Sequence, residues 1–320
     1  MHAPDPHRPY PAPPSPEPGA VNRTARPGPA VVDPARPFGA HLRMSWWKPL
    51  VLLVTLPVVL VLTQWSAFLF VGVLVGSDDP LSTEFTPEKA LAANLAIGVT
   101  GLVAVLMLVW LSGVPWRALF SHRRAFDGLR LARYSVGAAL VVGAAMAVVA
   151  VVAPESAGWT GFAITGTTLA LLAVTLLTTP FQAAGEELMF RSVLLPAAAS
   201  WLRAVRPALA LGLVVSSLGF AAVHGSTDPW LAGYFTVVGI STGLMAIISG
   251  GMEAPIAFHV VNNVIAGVLT NVMAGGGTST IDRATDTGGP SLLILAVANV
   301  AMVAVVWFHE RRARPARLAG

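Results

Sequence analysis

The sequence predicts an all-α protein, a polytopic membrane helix bundle of about eight transmembrane helices. Three observations lead there. Of 320 residues, 55% are apolar and only 11% are charged, too few to cover a globular surface. Mean hydropathy is +0.69. The apolar residues lie in blocks of roughly 20, about the length that crosses a ~30 Å bilayer core. The loops between those blocks alternate in charge, as the positive-inside rule requires of a membrane protein.

The elements follow in order. Residues 1–45 hold about half of the 25 prolines and have no apolar period, so they read as a disordered, cytoplasmic tail. Spans are expected at 49–76, 91–111, 135–152, 161–182, 207–224, 230–249, 255–274 and 290–308, the fourth running on past Pro180 towards Leu195. The first loop carries Asp78, Asp79, Glu84 and Glu88, and the third carries Glu155. The second carries Arg117, His122, Arg123, Arg124, Arg130 and Arg133; Arg191, Arg203 and Arg206 follow the fourth span. This alternation places both termini in the cytoplasm of a cell (inner or plasma) membrane, with 311–320 as a basic cytoplasmic tail. Trp46, Trp47 and Trp307 stand at span ends, where indoles favour the interface. The absence of cysteine excludes disulfides, thiolate metal sites and a Cys nucleophile. The basic residues fit orientation in a bilayer, and no nucleic-acid partner is implied.

Ionisable groups inside spans are costly and mark function. Three clusters stand out: Gly185-Glu186-Glu187-Leu188-Met189-Phe190-Arg191, Phe220-Ala221-Ala222-Val223-His224, and Phe258-His259-Val260-Val261-Asn262-Asn263. On a helix Glu187 and Arg191 share a face, while Glu186 is turned about 100° away. One carboxylate is then held by Arg191 and the other is left for chemistry. His259 shares a face with Asn263, and Asn262 is also within reach. A carboxylate beside a histidine can take a proton from water. A second histidine with an amide can stabilise an oxyanion. Glu186, His224 and His259 are equally a zinc ligand set, and the residues alone leave zinc and metal-free chemistry both open. The bland alternatives are a buried packing pair for Glu187–Arg191 and interhelical hydrogen bonding for each histidine.

The ordered set Glu-Glu-x-x-x-Arg, Phe-x-x-x-His, His-x-x-x-Asn resembles the CPBP family, the CAAX protease and bacteriocin-processing (ABI) proteins typified by the type II CAAX prenyl endopeptidase. The resemblance covers about residues 160–275 of a membrane domain over 46–310. It implies an intramembrane endopeptidase acting on a membrane-anchored protein or peptide. By position Glu186 and His224 would activate water, His259 and Asn263 would form the oxyanion side, and Glu187 with Arg191 would support them. The family is often called a metalloprotease, and a metal-free glutamate mechanism has also been argued for it. Full-length spans would set His224 and His259 at opposite faces, so convergence needs tilted or shortened helices. Gly239, Gly243, Gly250 and Gly251 would permit close packing of the sixth.

Gly239-Ile240-Ser241-Thr242-Gly243 matches a nucleophile elbow, but lies in a helical block and reads as a packing motif; a Ser241–His259 serine protease is the fallback. A transporter would also use a polar cavity, but should echo the Glu-Glu cluster in residues 49–152, which do not. A non-catalytic membrane scaffold is the third class.

Overall fold

The computed structural model describes residues 31–280, 282 and 286–318. Eight helical stretches in it are long and apolar enough to cross a membrane, matching the eight expected blocks. They are α1 (Trp47–Val75), α2 (Pro87–Ser112), α3 (Gly128–Val152), α4 (Gly166–Glu187), α6 (Val205–Val223), α7 (Pro229–Ser249), α8 (Glu253–Met273) and α9 (Leu292–Leu318). The fourth does run on past Pro180: α4 passes into a π-helical turn over Leu188–Leu194 and a short α5 (Leu195–Ala199). A two-residue ladder joins β1 (Glu84–Phe85) to β2 (Ser279–Thr280).

Local signals set the helix starts. Thr86, Asp127, Thr165 and Asp228 each accept a backbone N–H in the first turn of α2, α3, α4 and α7. The Asp127 cap starts α3 seven residues before the expected 135, so Arg130 is helical and buried. Its guanidinium bonds Glu310 of α9 at 2.5 Å.

Residues 31–45 correct the expected tail, whose residues 1–30 lie outside the described residues. The segment 31–45 packs against the end of the bundle at which α1 begins. Val32 bridges Leu42, Asp33 pairs with Arg43 at 2.8 Å, and Phe38, His41 and Leu42 are fully buried. Isolated apolar residues among prolines gave no period, yet they find an existing surface to cover. Gly39, at φ +87°, lets the strap pass so close that a Cβ would lie 2.7 Å from Leu195 Cδ2.

His41 makes this strap pH-sensitive. Its Nδ1 accepts from the Gly39 N–H (3.2 Å) and its Nε2–H donates to the Ala118 carbonyl (3.0 Å), which fixes the neutral ring. Burial, with His122 beside it, lowers its pKa from 6.5 to about 4. The unfolded strap therefore binds the proton first, and strap stability is lost as pH falls from 6.5 towards 4. Amide protection factors across 31–45, each taken relative to the intrinsic exchange rate at its own pH, are expected to be lower at pH 5 than at pH 7.5; equal protection factors at both would contradict this.

Candidate active site

The site is built where α2 and α4 touch. A Cβ on Gly185 would fall 2.7 Å from Gly98 Cα and 2.9 Å from the Ile97 carbonyl oxygen, so only backbone fits between them. This contact brings the α4 residues that follow it, Glu186 and Glu187, into the bundle. Both are buried, as is Arg191. Gly185→Ala must force the helices apart at a cost of about 1–3 kcal/mol. A lowered melting temperature in thermal unfolding is the expected result, and an unchanged one would mean the crossing is looser than described.

The difficulty over His224 and His259 has a geometric answer. The continuous stretch Gly166–Ala199 has 34 residues, ~51 Å of helix, and overshoots a bilayer core. The chain then turns back, and α6, with 19 residues or ~28 Å, ends with Phe220 against Phe190 and Arg191 of the π-helical turn, next to Glu186 and Glu187. His224 caps α6 at that depth. The Phe220 ring lies 4.6 Å from His224 and 5.8 Å from His259. Both histidines, with Glu186, Asn262 and Asn263, line one cavity of about 590 Å³.

Contacts at the cavity floor are specific. Glu187 Oε1 lies 2.7 Å from His259 Nδ1, and its Oε2 lies 3.4 Å from Arg191 Nε. Arg191 also stands over the Phe220 ring at 4.4 Å. The other ring nitrogen of His259, Nε2, lies 3.3 Å from Glu186 Oε2. That Oε2 is buried without a hydrogen-bond partner. So His259 sits between the two carboxylates, one per nitrogen. Glu187 holds a histidine as well as Arg191, a contact outside the expected supporting pair. His224 Nδ1 is 2.7 Å from the Phe220 carbonyl oxygen, and a carbonyl can only accept, so Nδ1 carries the proton. The ring stacks on Phe235 at 3.9 Å.

Asn263 Nδ2 donates to Gln182 Oε1 at 3.4 Å, and Asn262 Nδ2 donates to Asn263 Oδ1 at 3.1 Å. Gln182 went unread in the sequence, although it stands one helical turn before Glu186, on the same face. Phe220 also does more than its motif position suggested, meeting Arg191, His224 and His259 at once.

Residues 165–265 match a family model described as type II CAAX prenyl endopeptidase Rce1-like. This segment is similar to CAAX-protease-type domains. No curated protein and no solved structure matches the chain. The domain runs from the cap of α4 to the middle of α8, and so contains the glutamate pair, both histidines and Asn263. The segment similar to this family thus lies within a membrane helix bundle of eight long apolar helices.

Two ligands on one tetrahedral zinc stand roughly 3.4 Å apart, close to the Glu186–His259 separation of 3.3 Å. A third donor does not join them: among the described residues no group of three His, Asp or Glu side chains is placed to hold one ion. The side chains as arranged do not make the Glu186–His224–His259 set that zinc needs. Ser241 is buried and is not part of the cavity wall. Gly239 and Gly243 instead give α6 close approach, at 2.8 Å to Ser217 Cα and 2.5 Å to Leu213 Cδ1 for an added Cβ.

Proposed function

We propose that the CAAX-protease-type domain hydrolyses a peptide bond in a membrane-associated protein or peptide, using water activated by Glu186 together with His224. The observation that supports this best is Glu186 Oε2, a buried carboxylate oxygen with no hydrogen-bond partner, on the wall of a cavity that also holds both histidines. A carboxylate so placed is a proton acceptor in search of a donor.

Glu186 takes one proton from a water it shares with His224, and the hydroxide adds to the scissile carbonyl carbon. The oxyanion is met by His259 Nε2–H and Asn263 Nδ2–H. Glu187 holds the His259 ring through Nδ1, while Arg191 stands against the second oxygen of Glu187. Gln182 and Asn262 fix the Asn263 amide through their bonds to it. Glu186 then returns its proton to the departing amine, and the C–N bond breaks. Both termini face the cytoplasm in this reading. Arg117, Arg203, Arg206 and Arg311 belong to the end where α1 begins, and Asp78, Asp79, Glu88 and Glu155 to the other.

The purified chain in lipid nanodiscs, incubated with a randomised peptide library, provides the test by mass spectrometry. Cleavage that persists after stringent chelation is expected. Cleavage abolished by the chelator and restored by one equivalent of zinc would replace this mechanism with a zinc site.

A further inference from the structure

The cavity is closed towards one end of the bundle and open towards the other. Beyond Glu186, every residue from Glu187 to Ala199 is buried. α6 seals this stretch. Ser216 Oγ donates to the Phe190 carbonyl at 2.9 Å, and a Cβ on Gly212 would lie 2.5 Å from the Leu195 carbonyl oxygen. The 31–45 strap covers the same stretch again, with Gly39 against Leu195. Roughly 12 Å of packed helix therefore lies between Glu186 and Leu195.

In the other direction the wall climbs α2 from Ile97 through Asn94 and Ala93 to Lys89, ~12 Å of helix. It ends at Thr83, Glu84 and Gly225, all exposed. About half of the wall is polar, with Gln64, Ser82, Thr83 and Asn94 on it, which suits water and the backbone of a peptide.

Charge tells which side of the membrane the mouth faces. Thr83 and Glu84 lie in the loop from α1 to α2, with Asp78, Asp79 and Glu88 close by in sequence, and Gly225 lies between α6 and α7. Lys89 is the sole Lys or Arg at this end among the described residues. The opposite end carries Lys48, Arg117, Arg123, Arg203, Arg206 and Arg311. Under the positive-inside rule the closed end is cytoplasmic and the mouth opens on the far side.

We infer that the substrate is a polypeptide segment presented from the extracytoplasmic side, one that has already crossed the membrane. The reaction that supplies it is then a translocation or membrane-insertion step, and a peptide confined to the cytoplasm is not cut. The inference rests on the proposed peptidase reading and on the orientation given with it.

The chain has no cysteine, so single introduced thiols report the side of the opening without turnover. Gln64→Cys and Asn94→Cys stand on two cavity walls, and Arg203→Cys is exposed at the closed end. Each is treated with a small, permanently charged methanethiosulfonate in right-side-out and in sealed inverted membrane vesicles of a bacterial host. Both cavity thiols are expected to react at least ~10-fold faster in right-side-out vesicles, and Arg203→Cys at least ~10-fold faster in inverted ones, because the reagent cannot cross the bilayer. Asn94→Cys gives up bonds to Thr178 and Thr179 of α4, so Gln64→Cys supplies the same reading from α1, which those bonds do not touch. Cavity thiols that react faster from the inverted side, or from neither side, overturn the inference. A charged peptide library then measures cleavage above that of Glu186→Gln vesicles. Right-side-out vesicles are expected to cut at least ~10-fold more than sealed inverted ones, a difference that detergent erases. Cleavage as great or greater in sealed inverted vesicles overturns the inference. Palmitoylated copies of the peptides separate two extracytoplasmic sources: a preference for them assigns anchored proteins, and equal cleavage assigns released peptides. Loss of the peptidase reading would show separately, as cleavage in detergent-opened vesicles that Glu186→Gln leaves unchanged.

Discussion

Glu187→Gln is expected to unfold the chain or cut its membrane yield sharply. Glu187 is fully buried, and its two oxygens serve two partners, His259 Nδ1 at 2.7 Å and Arg191 Nε at 3.4 Å. An amide keeps the volume but carries no charge, and one of its two ends becomes an N–H donor facing a group that also donates. Arg191 is fully buried, and none of its three guanidinium nitrogens has a hydrogen-bond partner, so the Glu187 charge and the Phe220 ring are what balance it. Removing one member of a buried pair costs about 3–5 kcal/mol, a large part of the stability of a typical domain. Thermal melting in detergent checks this. A double variant with Arg191→Met should recover part of the loss, because it removes the stranded charge.

Glu186→Gln is expected to behave in the opposite way, with near-native melting and cleavage reduced 100- to 10,000-fold, the range for loss of a general base. Glu186 lines the cavity, and its Oε2 has no hydrogen bond to lose. Gln fills the same space and cannot accept a proton. Adjacent residues of one sequence motif thus divide the work. Glu187 points to the packed side of α4 and holds the fold. Glu186, about 100° round the helix, faces the cavity.

Much of this was legible in the residues. The eight spans follow from apolar blocks and charge alternation, and the three clusters supply Glu186, His224, His259, Asn262 and Asn263 of the cavity wall. What hydropathy cannot supply is depth. An apolar block shows that a helix crosses and not where along its neighbour it ends, so the shared level of His224 and His259 stayed hidden until the length of Gly166–Ala199 was known. Pairings across 72 residues, as between Glu187 and His259, leave no periodic trace in one sequence. Gly98 reads as an ordinary member of an apolar run and Gly185 only as the edge of the glutamate cluster, although their contact positions the glutamates. The strap over 31–45 was missed because proline masks the few apolar residues that anchor it.

The central claim is that Glu186 activates the water that cuts the peptide, within a site whose shape Glu187 maintains. The most direct measurement is library cleavage in nanodiscs by the native chain and by Glu186→Gln, each at matched concentration of protein shown to be folded by its melting curve. The account predicts new peptide termini with the native chain and at least a hundredfold fewer with the folded variant. Folded Glu186→Gln protein that cleaves at the native rate would contradict it.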